Sequence, residues 1–179
     1  MNAIDLMQRL QAHRAWVNHK LLAAAEPLST EALRKELPIG QGSIWKSLLH
    51  LYAAEFVWLG ALEGDEDPLT PGDVRGKLPG NQAGEGAIGS LNELRAKWGE
   101  LDARWTKYLA SLSETDLDQT VFKVSSRGGR FGTRCSDILL HVCTHAHYTT
   151  AQVINMLRQV GATELPDPML ITLAREGAK

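Results

Sequence analysis

Only two cysteines occur in the 179 residues, Cys135 and Cys143, and both fall on one expected helix. Their spacing of about 12 Å, at 1.5 Å of rise per residue, is beyond the reach of a disulfide, so both are expected as reduced thiols. An excess of positive charge is also missing, with 19 Lys and Arg against 21 Asp and Glu. A chain so balanced lacks the field that draws proteins to phosphate backbones, and nucleic acid is not an expected partner. No apolar run approaches the roughly 20 residues that a membrane span needs. The opening Met1-Asn-Ala-Ile-Asp has no basic stretch followed by an apolar core, so a cytoplasmic protein is expected. No internal repeat or low-complexity segment interrupts the chain, and its length suits a single domain over residues 1–179.

What is present is helical periodicity. Leu6, Leu10, Trp16, Leu21 and Leu22 recur at helical spacing from Ile4 to Ala25, and Pro27 stops that helix. Ser29-Thr-Glu-Ala offers a short capped turn, and Pro38-Ile-Gly-Gln-Gly breaks the chain again. Ser43 caps a second helix over Ile44 to Leu62, apolar on nearly every turn and therefore expected to be buried all round. From Glu63 to Gly86 the chain is rich in Gly, Pro, Asp and Glu and cannot form a regular element. Roughly 24 residues at about 3.3 Å each can cross a whole helix bundle, so a crossover connection is expected, and the loop is a candidate lid. A third helix is expected from Ala87 to Leu112, with Leu91, Leu94, Trp98, Leu101, Trp105, Tyr108 and Leu109 on one stripe. Thr120-Val-Phe-Lys-Val and Arg130-Phe-Gly-Thr flank Ser-Ser-Arg-Gly-Gly and read as a short hairpin. The last long helix opens at Cys135 or Ser136 and ends where Gly161 supplies a stop, and the tail adds one turn between Met169 and Ala174.

Chemistry concentrates on that last helix. His141 and His145 are four residues apart, which puts both imidazoles on one face about one turn apart, a spacing that can grip one metal ion. Thr149 and Gln152 continue a polar stripe among Leu, Ile, Val and Ala, and a polar stripe on a buried helix asks for a partner. His50 on the second helix has Ala53 and Ala54 on the next turn, whose small side chains leave room beside the ring. The bland reading stands beside this one, because a single His on an apolar helix is more often a hydrogen-bonded core residue than a ligand. His13 and His19 share neither spacing nor partner, His147 points elsewhere than His145, and the five tryptophans are more simply core than a ligand cage.

Three blocks carry a resemblance: Ala15-Trp-Val-Asn-His-Lys-Leu-Leu, Ser43-Ile-Trp-Lys-Ser-Leu-Leu-His-Leu-Tyr-Ala-Ala-Glu-Phe-Val-Trp-Leu and His141-Val-Cys-Thr-His-Ala-His-Tyr-Thr-Thr-Ala-Gln-Val. In order and spacing, together with the hairpin and the Asp-Pro tail, they resemble proteins of the DinB/YfiT-like superfamily over almost the whole chain. That resemblance implies an all-α four-helix bundle with a long crossover loop and a short β-hairpin before the last helix, often as a homodimer. It also implies a divalent metal, nickel or zinc, on three histidines. Two of those positions fall on His50 and His145, while the third, four residues after His145, is Thr149. A threonine hydroxyl is a poor substitute for imidazole towards zinc or nickel, and His141 is the alternative source of a third nitrogen.

Relatives of this kind resemble metal-dependent thiol S-transferases, acting on a low-molecular-weight thiol, or metal-dependent hydrolases. The implied site therefore comprises His50, His145 and His141 as ligands, with Thr149 and Gln152 facing substrate. The competing class is a non-catalytic bundle that has lost its metal and serves as a small-molecule-binding or dimerising stress-response protein.

Overall fold

The computed structural model describes residues 2–176. Four long helices carry about half of the chain: α1 (Ala3–Ala25), α3 (Ile44–Leu62), α4 (Leu91–Ser111) and α5 (Cys135–Gln159). Two short helices, α2 (Thr30–Arg34) and α6 (Leu170–Glu176), a 3-10 helix over Glu114–Asp118 and a two-stranded antiparallel sheet, β1 (Thr120–Val124) and β2 (Arg130–Arg134), complete it. No helix among the described residues is long and apolar enough to cross a membrane.

Local chemistry sets the helix starts. Asn2 and Asp5 form a reciprocal capping box on α1, and the hydroxyls of Ser29, Ser43 and Ser90 accept from the backbone N–H three residues on. Each cap satisfies a donor that would otherwise have no partner in the first turn. The third long helix begins at Leu91 and not at Ala87, because Ser90 caps it and the Ile88 N–H is taken by Gln82 Oε1 at 2.7 Å. The connection before it therefore runs from residue 63 to residue 90. The tail helix is likewise displaced by one or two residues, to Leu170–Glu176.

Residue pairs fix the helix directions. Gln8 on α1 and Glu26 at its C-terminal cap meet Leu109 and Arg95 on α4, so those helices are antiparallel. Trp98 and Arg104 on α4 meet Glu55 on α3 and Glu63 at its C-terminal cap, so those two run the same way. Two consecutive long helices pointing the same way force the connection between them to return over the length of α3, about 28 Å for 19 residues. This explains the length of the segment from 63 to 90. His50 and Trp58 on α3 meet His145 and His141 on α5, an antiparallel pairing.

The core is a single cluster drawn from all four long helices, including Leu21, Leu48, Leu51, Leu59, Leu94, Trp98, Leu101, Ile138, Leu139 and Met156. Inside it sits a polar network that helical periodicity does not announce. Glu55 is 1% exposed and accepts from Arg14, from Asn18 Nδ2 at 2.7 Å and from Trp98 Nε1 at 3.0 Å. Arg14 also donates to Gln11 Oε1 at 2.8 Å and lies 5.0 Å above the Trp105 ring, while Gln11 donates to the Leu139 carbonyl. A buried carboxylate with a guanidinium and two further donors is a compensated charge, which is the condition for keeping it in a core.

The hairpin pairs Thr120 with Arg134 through Val124 with Arg130, and its turn closes by Ser125 N–H to the Gly129 carbonyl at 2.7 Å. Glu66 ties the start of the long connection to it, accepting from Arg130 at 2.6 and 2.8 Å and, through its carbonyl, from Val124 N–H at 2.7 Å. At the other end, α6 is held to α1 by Glu176, which accepts from Trp16 Nε1 and pairs with Lys20. His13, also on α1, donates to the Pro168 carbonyl just before α6.

Candidate functional site

The antiparallel contact of α3 and α5 brings two imidazoles together. His50 Nε2 and His145 Nε2 lie 3.2 Å apart, with the rings edge to face. The other nitrogen of His50, Nδ1, is 2.8 Å from the Pro79 carbonyl. A carbonyl only accepts, so Nδ1 carries the proton and Nε2 of neutral His50 presents its lone pair. In the metal-free protein the 3.2 Å contact is then a hydrogen bond from His145 Nε2–H to His50 Nε2.

His141 stands one turn before His145, its ring centroid 5.8 Å from that of His145 and 5.2 Å from that of Trp58, which it meets edge to face. Burial pushes the His145 imidazole down to about 4, helped by the neighbouring His50 and His141 rings, and burial also lowers His141. Both rings are therefore neutral at pH 7, the form in which imidazole binds a cation or accepts a proton.

These histidines line a cavity of about 870 Å³. Its wall comes from three places: α3 with Val57 and Trp58, the long connection with Asp67, Leu69, Asp73 and Pro79, and the hairpin with Lys123, Arg127 and Phe131. Lys123 is half-buried, lies 5.4 Å from the Trp58 ring and donates to the Val124 carbonyl. Burial lowers its ammonium, with the Asp67 and Asp65 carboxylates opposing the shift. Arg75, by contrast, is committed to Asp67.

The other sequence candidates are distributed as follows. Thr149 is 2% exposed and Gln152 lies against Gly40, its Oε1 only 2.6 Å from where a Cβ on that glycine would stand. Neither is part of the cavity wall. His147 is exposed, and His19 pairs with Asp102 on the surface. Both cysteines are free thiols. Helical spacing could not single out Trp58 as a wall residue, nor Asp73, Pro79 and Lys123, which come from a loop and a strand. The one available signal was position, since these residues lie in the segments that interrupt the helices.

Two of these donors suit a divalent cation. Zinc–nitrogen bonds of about 2.1 Å in a tetrahedral site place two ligand nitrogens roughly 3.4 Å apart, close to the 3.2 Å between His50 and His145. A carbonyl behind one ligand, orienting its ring, is the usual outer support of a metal-binding histidine. Two ligands fit. Among the described residues, no three His, Cys, Asp or Glu side chains are grouped as a complete metal site.

Comparison with known proteins bears on the same segment. The sequence profile of the DinB superfamily matches residues 11–153, which include His50, His141 and His145. Protein DinB of Bacillus subtilis (strain 168) is 23% identical over 164 residues, a match covering 90% of each chain.

Proposed function

The chain belongs to the DinB superfamily, and from that premise we propose that it is a metal-dependent enzyme of the thiol S-transferase or hydrolase class. Its divalent cation, nickel or zinc, is held by His50 and His145, with His141 the nearest source of a third nitrogen. On this reading the four long helices form the family's four-helix bundle, and two copies of the chain associate as a homodimer. The observation that carries the proposal is the pair of Nε2 atoms converging at 3.2 Å in the wall of a large cavity, with the outer nitrogen of His50 fixed by Pro79.

A bound cation would supply local positive charge, which favours the ionised form of a thiol or a water at neutral pH. The chain's own residues account for the rest. His50 offers Nε2 without first losing a proton, and His145, neutral at pH 7, only has to move its proton to Nδ1. Where the cation rests on His50 and His145 alone, the lone pair of neutral His141 is free to accept the proton a nucleophile gives up. Trp58, Val57, Leu69 and Phe131 present apolar surface to the substrate, and Lys77, Lys123 and Arg127 add positive charge to the wall. That combination suits a low-molecular-weight thiol bearing a carboxylate.

A non-catalytic, small-molecule-binding reading is favoured by one observation: Thr149 stands where the family pattern places a third histidine. Thr149 and Gln152, the residues expected to face substrate, lie outside the cavity wall, Gln152 against Gly40. Protein purified without a histidine tag or chelator and assayed over a panel of thiols and electrophiles, with nickel, zinc or manganese added, separates the two. The enzyme reading predicts turnover that depends on both thiol and metal. Absence of turnover with every combination supports the binding reading.

A further inference from the structure

The connection between α3 and α4 does more than cross the molecule, because one point of it is seated directly on His50. Gly80 has φ +84, and a Cβ there would stand 2.5 Å from His50 Cα, 2.6 Å from His50 N and 2.7 Å from Leu49 C. Backbone atoms of a helix cannot give way, so only glycine lets the loop come this close. Its neighbour Pro79 supplies the carbonyl that accepts from His50 Nδ1 at 2.8 Å.

Asn81 braces this turn on its exposed side, accepting from Val74 N–H and donating to the Val74 and Leu78 carbonyls, while the bonds to Gly80 and Gln82 converge on a single carboxylate. Asp73 is 8% exposed and uses both oxygens on the same segment: Oδ2 accepts from Gly80 N–H at 2.7 Å, and Oδ1 accepts from Gln82 N–H at 2.9 Å and Gln82 Nε2 at 2.8 Å. Gln82 in turn accepts from Ile88 N–H through Oε1. Asp73 thus fastens the two backbone N–H groups that flank the point of contact, and no positively charged side chain competes for it by hydrogen bond or ion pair among the described residues.

We infer that Asp73 is a positioning residue for His50: through Gly80 it seats the Pro79 carbonyl on Nδ1 and so fixes the tautomer that aims the Nε2 lone pair at His145. The chain of contacts is continuous, from carboxylate to backbone N–H, to the adjacent carbonyl, to imidazole. Without the carbonyl the neutral ring can carry its proton on either nitrogen, and a ring protonated on Nε2 has no lone pair for a cation there. Asp73 itself touches neither histidine through any of these bonds. The inference rests on the proposed role of His50 and His145 only where cation affinity is concerned; the tautomer is a property of the metal-free chain.

The test uses the whole chain, freed of metal and labelled with 15N in histidine, and reads the His50 nitrogens from two-bond and three-bond 1H–15N correlations. The original protein is expected to show His50 protonated on Nδ1 with an unprotonated Nε2. Asp73→Ala should convert it to a mixture of the two tautomers, and Gly80→Ala, which displaces the same turn by another route, should do likewise. Circular dichroism accompanies both variants, and the one that keeps the helical signal and a cooperative melt decides the case. A second reading is nickel affinity by calorimetry, expected to weaken about 10–100-fold in the variants, the usual cost of losing an outer partner of a ligating histidine. A folded Asp73→Ala or Gly80→Ala that leaves the His50 tautomer as in the original overturns the inference. Absence of nickel binding to the original protein would instead count against the proposed function while the tautomer result still decides the role of Asp73.

Discussion

Replacing Glu55 by Gln tests whether the buried network holds the helices in register. The change keeps shape and leaves every hydrogen bond recoverable. Gln Oε1 can accept from Arg14 and Trp98 Nε1 as Glu55 Oε2 does, and its amide can donate to Asn18 Oδ1, which is buried without a partner, once the Asn18 amide turns over. What it removes is the negative charge opposite Arg14, whose side chain is 2% exposed. Breaking a buried ion pair from one side costs about 3–5 kcal/mol, because the remaining charge is left uncompensated. For a chain of this size each kcal/mol shifts the melting temperature by about 2–4 °C, so a fall of roughly 6–20 °C is expected. Replacing both charges, Arg14→Met with Glu55→Gln, keeps acceptors and donors for Trp98 and Asn18, removes the uncompensated charge and should cost less than Glu55→Gln alone. Urea denaturation followed by circular dichroism gives all three values. A Glu55→Gln protein within about 1 kcal/mol of the original, or a double variant less stable than it, would refute the claim that charge compensation holds this layer.

Three further outcomes are expected. Thr149→His should tighten nickel binding by at least about tenfold, or about 1.4 kcal/mol, while its larger ring in a buried position costs about 1–3 kcal/mol of stability; if His141 already serves as third ligand, calorimetry will show tight binding in the original, little gain, and a loss in His141→Ala. In protein freed of metal, His145 should stay neutral down to a midpoint near pH 4, as read by its ring C–H resonances. Because its folded value lies below the ordinary 6.5, the associated stability is fully present above about pH 6.5 and lost as pH falls towards 4; a midpoint near 6.5 would contradict the burial of the ring. Ser43→Ala should cost about 1 kcal/mol by removing the cap that accepts from Lys46 N–H, checked by the same urea melts.

The long helices were legible because each buries a wide apolar stripe, and the stops at Pro27 and Gly161 and the caps at Ser29 and Ser43 are local signals that tertiary structure rarely overrides. Apolar spacing alone starts α4 four residues early, at Ala87 instead of Leu91. The pattern weighed apolar spacing from Ala87 onward, whereas Ser90 with Glu93 three residues later marks the cap, and Gln82 holds Ile88 out of the helix. His50 and His145 stood out because imidazoles are rare on apolar helices and their spacing can be counted. The loop half of the site could not be counted in this way. Pro79, Gly80 and Asp73 reach His50 only through the fold, 29 residues from it in the case of Pro79, and no periodicity links a turn to the helix it rests on. Glu55 did leave a trace, as the only charged residue between Ser47 and Leu62 of the most apolar helix, but its partners Arg14 and Asn18 lie on another helix. Trp58 illustrates the limit of composition: read as core, it is half-buried, and one side of its ring meets His141 at the cavity wall.

The central claim is that His50 and His145 together hold one divalent cation. Calorimetric titration of nickel into the original protein, His50→Ala and His145→Ala, each confirmed folded by circular dichroism, tests it most directly. One equivalent bound by the original and none by either variant is the predicted result. Binding that survives the loss of either imidazole, or no binding by the original protein, would contradict it.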